Sequence, residues 1–491
     1  MPTNNPMIGP GGIRKIVARW VITGELVLES AAHLGSGEEG ATVDMALVRD
    51  RAENKPLLTG SSLAGGLRSY VVDRIHGYYK EERSKPKRVA NLFGVAREDD
   101  EGGQSPLIVF DSICCPPTNW TPEIRDGVAI ETETGLAEDH KKFDLEVLSS
   151  GTMFPVRFEL LVAETNMEEE QVLLLATALK GLEEGEIPIG ARRSRGLGAC
   201  RVQNWRVKRF DLTKQIGWLD WLGSDHLHPT QNINSEKNIE SAIQTAYPKI
   251  TLKAQVDNRE RIQIKVRLVL NAGLLIRSPG TEGGDADVTH LSSAGKAILP
   301  GTSLAGVLRA RALRIARVVR ASKHDPEKWV DELFGPRLIV TTDPNFRPPQ
   351  ASRLKITEKP ITGSKRLRLS RIKIDRFTGG VVDNALFDEE PVYRGEVEVC
   401  MELWSPRDGE TGLVLLLLKD LLTGDLPVGG TSSVGRGVVS GTATVTIDGK
   451  DYTLDPGKSA DSETVQVLDD EVQKFHYAES LNNTASEEET T

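Results

Sequence analysis

Apolar and polar residues alternate over eight or more positions in "ARWVITGELVLES" from Ala18 and in "RIQIKVRLVLNAG" from Arg261, which predicts two half-buried strands. A glycine-rich loop follows each strand, and then a turn of small residues, "GSSLAGGLR" at Gly60 and "GTSLAGVLR" at Gly301. Beyond each turn the apolar spacing changes to four, with Leu63, Leu67 and Val71 in one place and Leu304, Leu308 and Ala312 in the other. That spacing predicts a helix, capped by Ser61 or Ser62 in the first case and by Thr302 or Ser303 in the second. Strands are then predicted at "SPLIVFD" and "FPVRFELLVAE". A second helix is predicted at "EEEQVLLLATALKGLEEG" and again at "GLVLLLLKDLLTG". After another glycine loop a last strand is predicted, "ACRVQNWRV" in one half and "VVSGTATVTI" in the other.

The two series are copies of one another. Gly60 and Gly301 are 241 residues apart, as are "NLFG" at 91–94 and "ELFG" at 332–335. "IPIGARRSRGLG" and "LPVGGTSSVGRG" are offset by 239, and "TETGLAEDHKKF" and "RFTGGVVDNALF" by 244. Four landmarks in one order define a tandem repeat of whole domains rather than a solenoid. We place the first domain at 18–211, a linker at 212–260 and the second domain at 261–449. The order β-α-β-β-α-β is the ferredoxin-like, RRM-like plan, so the expected class is α+β with two such domains in tandem.

At 491 residues the chain exceeds one ordinary core, and 38% hydrophobic with 27% charged residues is the composition of a soluble globular protein. No apolar run has the roughly 18 residues that a membrane span needs, and the polar start "MPTNNPMIGPGGIRK" lacks a signal-peptide core. The expectation is a cytoplasmic protein with no membrane partner. Cys114, Cys115, Cys200 and Cys400 have neither zinc-site nor redox-motif spacing. The net charge of −10 argues against a nucleic-acid partner until the tail is set aside. Residues 457–491 hold nine acidic residues against Lys458 and Lys474, which leaves about −3 for the rest. This acidic, aromatic-poor tail is expected to be disordered. Basic clusters remain at 83–88, 191–195 and 363–373.

The segments "DMALVRDRAENKPLLTGSSLAGGLR", "LFG", "SRIKIDRFTGGVVDNALFDEE" and the closing glycine loops together resemble the RAMP superfamily of CRISPR-associated proteins. Within it the chain is most similar to the backbone subunit of type III effector complexes, here as two subunits fused. The resemblance implies a palm with a β-hairpin thumb in each domain, at 128–150 and 372–395, that wedges between guide and target RNA. It also implies a guide CRISPR RNA, a target RNA and further effector subunits (backbone, cap and large) as partners. It implies a loop aspartate that supports divalent-metal-dependent cutting, with Mg²⁺ as the expected ion and the target's own 2′-hydroxyl as nucleophile.

Carried onto this sequence, the resemblance assigns the catalytic and metal-binding role to Asp44. Asp50 and the Glu38–Glu39 pair lie nearby. In the second loop the ungapped repeat register selects Asp285 and a two-residue gap selects Asp287, so both are candidates. The turn residues Gly60, Ser61, Ser62, Gly301, Thr302 and Ser303 start helices, where amides and hydroxyls suit an RNA phosphate. Arg68 and Arg309 on those helices are candidate backbone contacts. Arg192, Arg193 and Arg195 in the first glycine loop, and Arg436 in the second, suit sugar-phosphate contact or stacking on a base. Phe143 and Phe387 are candidate thumb wedges, with Lys141, Lys142 and Arg376 beside them. Two alternatives stay open: an inert RNA-binding scaffold, and a guide-processing ribonuclease using His33 or His140 as general base.

Overall fold

The computed structural model describes residues 15–37, 43–78, 87–94, 104–115, 121–131, 134, 137–253, 255–279, 286–319, 326–336 and 350–477. They form two compact units. The first comprises Met1–Ile124, Leu145–Arg193 and Leu197–Arg259, and the second comprises Arg125–Asp144, Ser194–Gly196 and Glu260–Thr491. Two short pieces of the first sequence repeat therefore belong in space to the second unit.

In the first unit β1 (Ala18–Leu28), β2 (Leu107–Val109), β3 (Met153–Val162) and β4 (Cys200–Asp211) make an antiparallel sheet in the order β2-β3-β1-β4. Helices α1 (Gly60–His76) and α2 (Thr165–Glu184) pack their apolar stripes on it. Leu63, Leu67 and Val71 are all buried, as the four-residue spacing predicts, and meet Trp20, Ile22, Leu26, Phe154 and Phe158 in one core. The cap differs from the expected one: Thr59 precedes the helix and its hydroxyl accepts from the Ser62 amide. Helix α3 (Gln215–Leu222) and a second short helix, Ile239–Ala246, give the linker segment ordered structure.

The second unit repeats the plan with an added strand. Here β5 (Arg261–Leu270), β6 (Leu354–Ile356), β7 (Glu396–Trp404), β8 (Val439–Ile447) and β9 (Lys450–Leu454) take the order β6-β7-β5-β8-β9. Helices α4 (Gly301–Val319) and α5 (Glu410–Leu422) bring Leu304, Leu308, Ala312, Leu417 and Leu421 to Ile264, Val266 and Met401.

Each unit buries one glutamate at the start of its second helix, and these are equivalent at an offset of 242. Glu168 accepts from Trp20 Nε1 at 2.7 Å and from Arg209 Nε at 2.7 Å, and Glu410 is held by Arg353 with one contact at 2.7 Å. A carboxylate at a helix N-terminus meets exposed amides and the positive end of the helix dipole. The arginine supplies the counter-charge that burial demands.

The expected disordered tail needs correction for part of its length, since Ser462–Tyr477 forms helix α6. Its apolar residues Leu468, Val472 and Phe475 fall three and four apart, so one face can pack. Phe475 is 1% exposed and its ring centroid lies 5.4 Å from that of Trp329. Charge alone suggested disorder because the acidic residues occupy the opposite face. The end of the tail, 478–491, lies outside the described residues.

Candidate nucleic-acid interface

Asp44 is exposed at the edge of a short bridged segment of the first unit. Met45 bridges Leu145 in parallel, and the Glu146 amide donates to Met45 O at 3.0 Å. The Glu146 carboxylate accepts from the Leu47 amide at 3.0 Å and pairs with Arg49 at 3.2 Å. Glu146 thus holds the chain just after the aspartate, at Met45, Leu47 and Arg49. Asp50 is a turn cap, accepting from the Ala52 and Glu53 amides at 3.0 and 2.7 Å. Glu38 and Glu39 lie outside the described residues.

The second unit contains the same construction. Val288 pairs with Glu389 in parallel, and Leu274 bridges Val392 as Ala32 bridges Leu148. Leu145 and Glu389 correspond at an offset of 244, so Val288 stands where Met45 stands and Asp287 where Asp44 stands. The gapped register is therefore the one the fold adopts. Asp285 lies outside the described residues. Asp287 is exposed, and its Oδ2 accepts from the Asp388 amide at 2.8 Å. The Ser370 hydroxyl and then Arg368 hold the Asp388 carboxyl below its ordinary range.

The two small-residue turns are shaped by protein packing. A methyl group at Gly60 would lie 2.2 Å from Val109 O, and one at Gly301 would lie 2.5 Å from Arg195 O and 2.6 Å from Ile356 O. The Gly60 amide donates to Asp111 Oδ1 at 2.7 Å. Neighbouring backbone thus fills the space beside both glycines, and a carboxylate already sits at the Gly60 amide. Ser61 and Ser62 are exposed, whereas Thr302 and Ser303 are half-buried. Arg68 is half-buried on α1. Arg309 is turned inward to Gly335 O, at 2.5 Å, and to Asp331, which braces α4 rather than reaching solvent.

The glycine loops brace themselves in one pattern. The Ala191 amide donates to His33 O and the Gly430 amide to Leu275 O, while Ile189 with Gly198, and Val428 with Gly437, close the loop ends. Arg192 adopts φ +55°, and Arg193 and Arg195 are exposed on a single 3₁₀ turn. Arg436 is corrected from the expected RNA contact. It is 4% exposed and bonded through Nη1 to Glu389 at 2.8 Å and Thr431 at 3.3 Å.

The hairpins differ from the expected wedges. In the first, the Phe143 ring lies over Gly127, where a methyl group would be 1.9 Å from Cζ. Lys141 and Lys142 are exposed but pair with Glu138 and Asp126, each at 3.0 Å. In the second, Phe387 is 41% exposed in a strand, while Phe377 at the tip is 96% exposed. Asp375 makes that tip: its carboxylate accepts from the Phe377 and Thr378 amides, both at 2.8 Å, and is thereby held below its ordinary range. The turn closes through Gly379 at φ +68° and leaves the ring outside. Exposed Ile372, Lys373, Ile374 and Arg376 flank it. Phe377 was visible in the sequence as the aromatic before a Gly-Gly turn, but the repeat alignment favoured the phenylalanine common to both copies.

His33 is 2% exposed with Nδ1 2.7 Å from Glu146 O, a framework position and not that of a solvent-facing base. The side chain of His140 lies outside the described residues. Burial pushes the Cys114 thiol up to about 11. No described helix is long and apolar enough to cross a membrane. Among the described residues no group of three or more His, Cys, Asp or Glu side chains assembles as a metal cage.

This is a duplicated mixed α/β architecture in which each copy presents an exposed aspartate. The family model of the RAMP superfamily matches residues 25–201 and 272–440, and the chain belongs to that superfamily as a tandem fusion of two of its domains. The superfamily consists of CRISPR-associated, RNA-binding proteins. A search of curated proteins found no match.

Proposed function

We propose that this chain is a backbone subunit of a type III CRISPR effector, binding guide RNA and cutting the paired target RNA at Asp44 and Asp287. Each unit would act as a ferredoxin-like palm, supported by the sheet orders β2-β3-β1-β4 and β6-β7-β5-β8. The observation that carries the reading is the repeat register: both aspartates are exposed, and both stand one residue before a parallel bridge to the returning hairpin strand. Duplicated exposed carboxylates at one position of one fold suit duplicated cuts in one strand.

The hairpin tip with Phe377 and its basic flank would enter the guide–target duplex, where an aromatic ring can stack on a base. Arg192, Arg193 and Arg195 would meet the sugar-phosphate backbone. The reaction would be attack of the target's 2′-hydroxyl on the adjacent phosphorus, expelling the 5′-oxygen and leaving a cyclic phosphate. Asp44 would orient that hydroxyl. A single carboxylate fits a Mg²⁺ ion carried mainly by RNA phosphates and water, which is how this ion is usually held at substrates. When bound, the ion would neutralise charge on the phosphate.

The test is a count of products from a labelled target. With wild-type protein two cuts are expected. Asp44→Ala removes one product set, Asp287→Ala the other, and guide binding persists in both. An unchanged pattern in both variants removes the aspartates from the mechanism and leaves the scaffold reading.

A further inference from the structure

At the base of the hairpin strand the two units fill one place with opposite chemistry. Leu145 and Leu197 of the first unit are both buried, at 3% and 4% exposure. At offsets of 244 and 239 their counterparts are Glu389 and Arg436, buried to the same 3% and 4%. Two leucines are thus replaced by an ion pair, with Arg436 Nη1 2.8 Å from Glu389 Oε2. Arg371 adds a contact to the same oxygen, from Nε at 3.0 Å.

Stability alone does not account for this exchange. A buried ion pair is often no more stabilising than packed apolar side chains of similar volume, because both charges lose their water. The first unit shows that leucines serve at these positions. The arginine is also incompletely satisfied: among the described residues its buried Nη2 has no hydrogen-bond partner. A costly group kept at one point of a fold marks a place where position matters more than stability.

The pair joins the second glycine loop to the strand beside Asp287. The Glu389 backbone pairs with Val288 on one side and with Leu369 on the other. The preceding amide, that of Asp388, donates to Asp287 Oδ2 at 2.8 Å. On the loop side Arg436 donates to the Thr431 hydroxyl at 3.3 Å. Thr431 is β-branched at φ +59°, a left-handed conformation that persists only where the surroundings enforce it. The Gly430 amide is fixed to Leu275 O at 2.8 Å, and Leu274 exchanges hydrogen bonds with Val392 at 2.8 and 3.0 Å. Asp287 therefore stands beside a closed circuit of bonded segments, and charge makes the link at Arg436 and Glu389. The first unit is braced differently, since the Glu146 carboxylate reaches the Leu47 amide and Arg49 in the segment of Asp44 itself. The counterpart of Glu146, Glu390, pairs instead with Arg366 at 2.9 Å.

We infer that Arg436, acting through Glu389, is a positioning residue for Asp287 and that Asp44 has no such support. The role rests on the proposed cleavage at Asp287, whereas the link itself can be measured without RNA.

The experiment compares wild type with Arg436→Met, Arg436→Lys and the double variant Arg436→Leu with Glu389→Leu, which installs the residues of the first unit. Single-turnover cutting of a labelled target by the guide-loaded protein reads both product sets from the same molecules. Arg436→Met should slow the Asp287-dependent set at least tenfold, and leave the Asp44-dependent set and target affinity within twofold of wild type. Arg436→Lys keeps the charge and should recover most of the lost rate. The double variant strands no charge at Glu389, so its folding is not at stake. It should remain slow, because Glu390 is engaged elsewhere. Hydrogen exchange of the RNA-free full-length chain is the second readout. In Arg436→Met and in the double variant, residues 387–390 should exchange at least tenfold faster, while β5 stays as protected as in wild type. A wild-type rate at Asp287 in either variant overturns the inference. So does an equal fall in both product sets, which marks general loss of structure, or a fall in affinity that matches the fall in rate, which marks an RNA contact. If the wild type makes no Asp287-dependent product, the cleavage reading fails by itself and exchange decides the rest. Faster exchange at 387–390 then upholds the link, and unchanged exchange removes it.

Discussion

The two hairpins started from one ancestral pattern and now differ in what holds them. Residues 125–144 are fixed by the buried Arg125–Glu358 pair and by Phe143 folded onto Gly127. Residues 365–390 are anchored at their base by the buried Arg436–Glu389 pair, carry the more exposed pairs Arg366–Glu390 and Arg368–Asp388 further out, and end in a ring that touches almost nothing. A buried ion pair is a fixed joint, because breaking it strands a charge away from water. Exposed pairs are screened and contribute little. The first hairpin is therefore built into the second unit, and the second hairpin is presented to solvent.

The sharpest way to break this contrast is Arg125→Ala. It strands Glu358 at 3% exposure and should cost about 3–5 kcal/mol in urea unfolding. Arg368→Ala in the other hairpin should cost under about 1 kcal/mol. Equal losses would contradict the distinction. Phe475→Ala ranks next, with an expected loss of about 3–5 kcal/mol from a vacated core site. A near-neutral result there would show that α6 is not part of the second core.

The third expectation concerns pH. His290 is 1% exposed, accepts from the Ile276 amide at 3.2 Å through Nδ1, and has Nε2 3.0 Å from Ile298 O. Burial holds it neutral, with its pKa lowered to about 4. The folded state thus binds fewer protons than the unfolded chain, whose histidine titrates near about 6.5. Stability should be full above about pH 6.5 and fall between that and pH 4, by at most about 3 kcal/mol. In His290→Gln this increment should vanish from the pH profile of unfolding. The smallest effect belongs to Phe377→Ala, expected within about 0.5 kcal/mol of wild type because the ring is 96% exposed. The same change should weaken binding to a guide–target duplex severalfold.

Both helix stripes, the strand alternation and the duplication were legible in the sequence, because each is a local period that burial enforces. Leu63, Leu67 and Val71 could be placed in the core without any fold in hand. The aspartate choice was legible only to two alternatives. Loop length left Asp285 and Asp287 open, and the pairing of Val288 with Glu389 decided for the second. The glycine turns were visible as special, but their cause lay with distant partners: Val109 O for Gly60, Arg195 O and Ile356 O for Gly301.

Charge was the least legible feature. Arg309 and Arg436 read as RNA contacts from their places on the helix and in the glycine loop, yet Asp331 pairs with the first and buried Glu389 with the second. An arginine's letter carries its charge but not its neighbours, and burial beside a carboxylate reverses its use. What the sequence by itself determined is the number of domains, their order of elements and the family to which they belong. Only the tertiary structure decided which arginines face water, which aspartates correspond, and that Arg125–Asp144 and Ser194–Gly196 belong to the second unit. Periodicity is a short-range property of the chain, whereas partner choice is set by residues tens to hundreds of positions away.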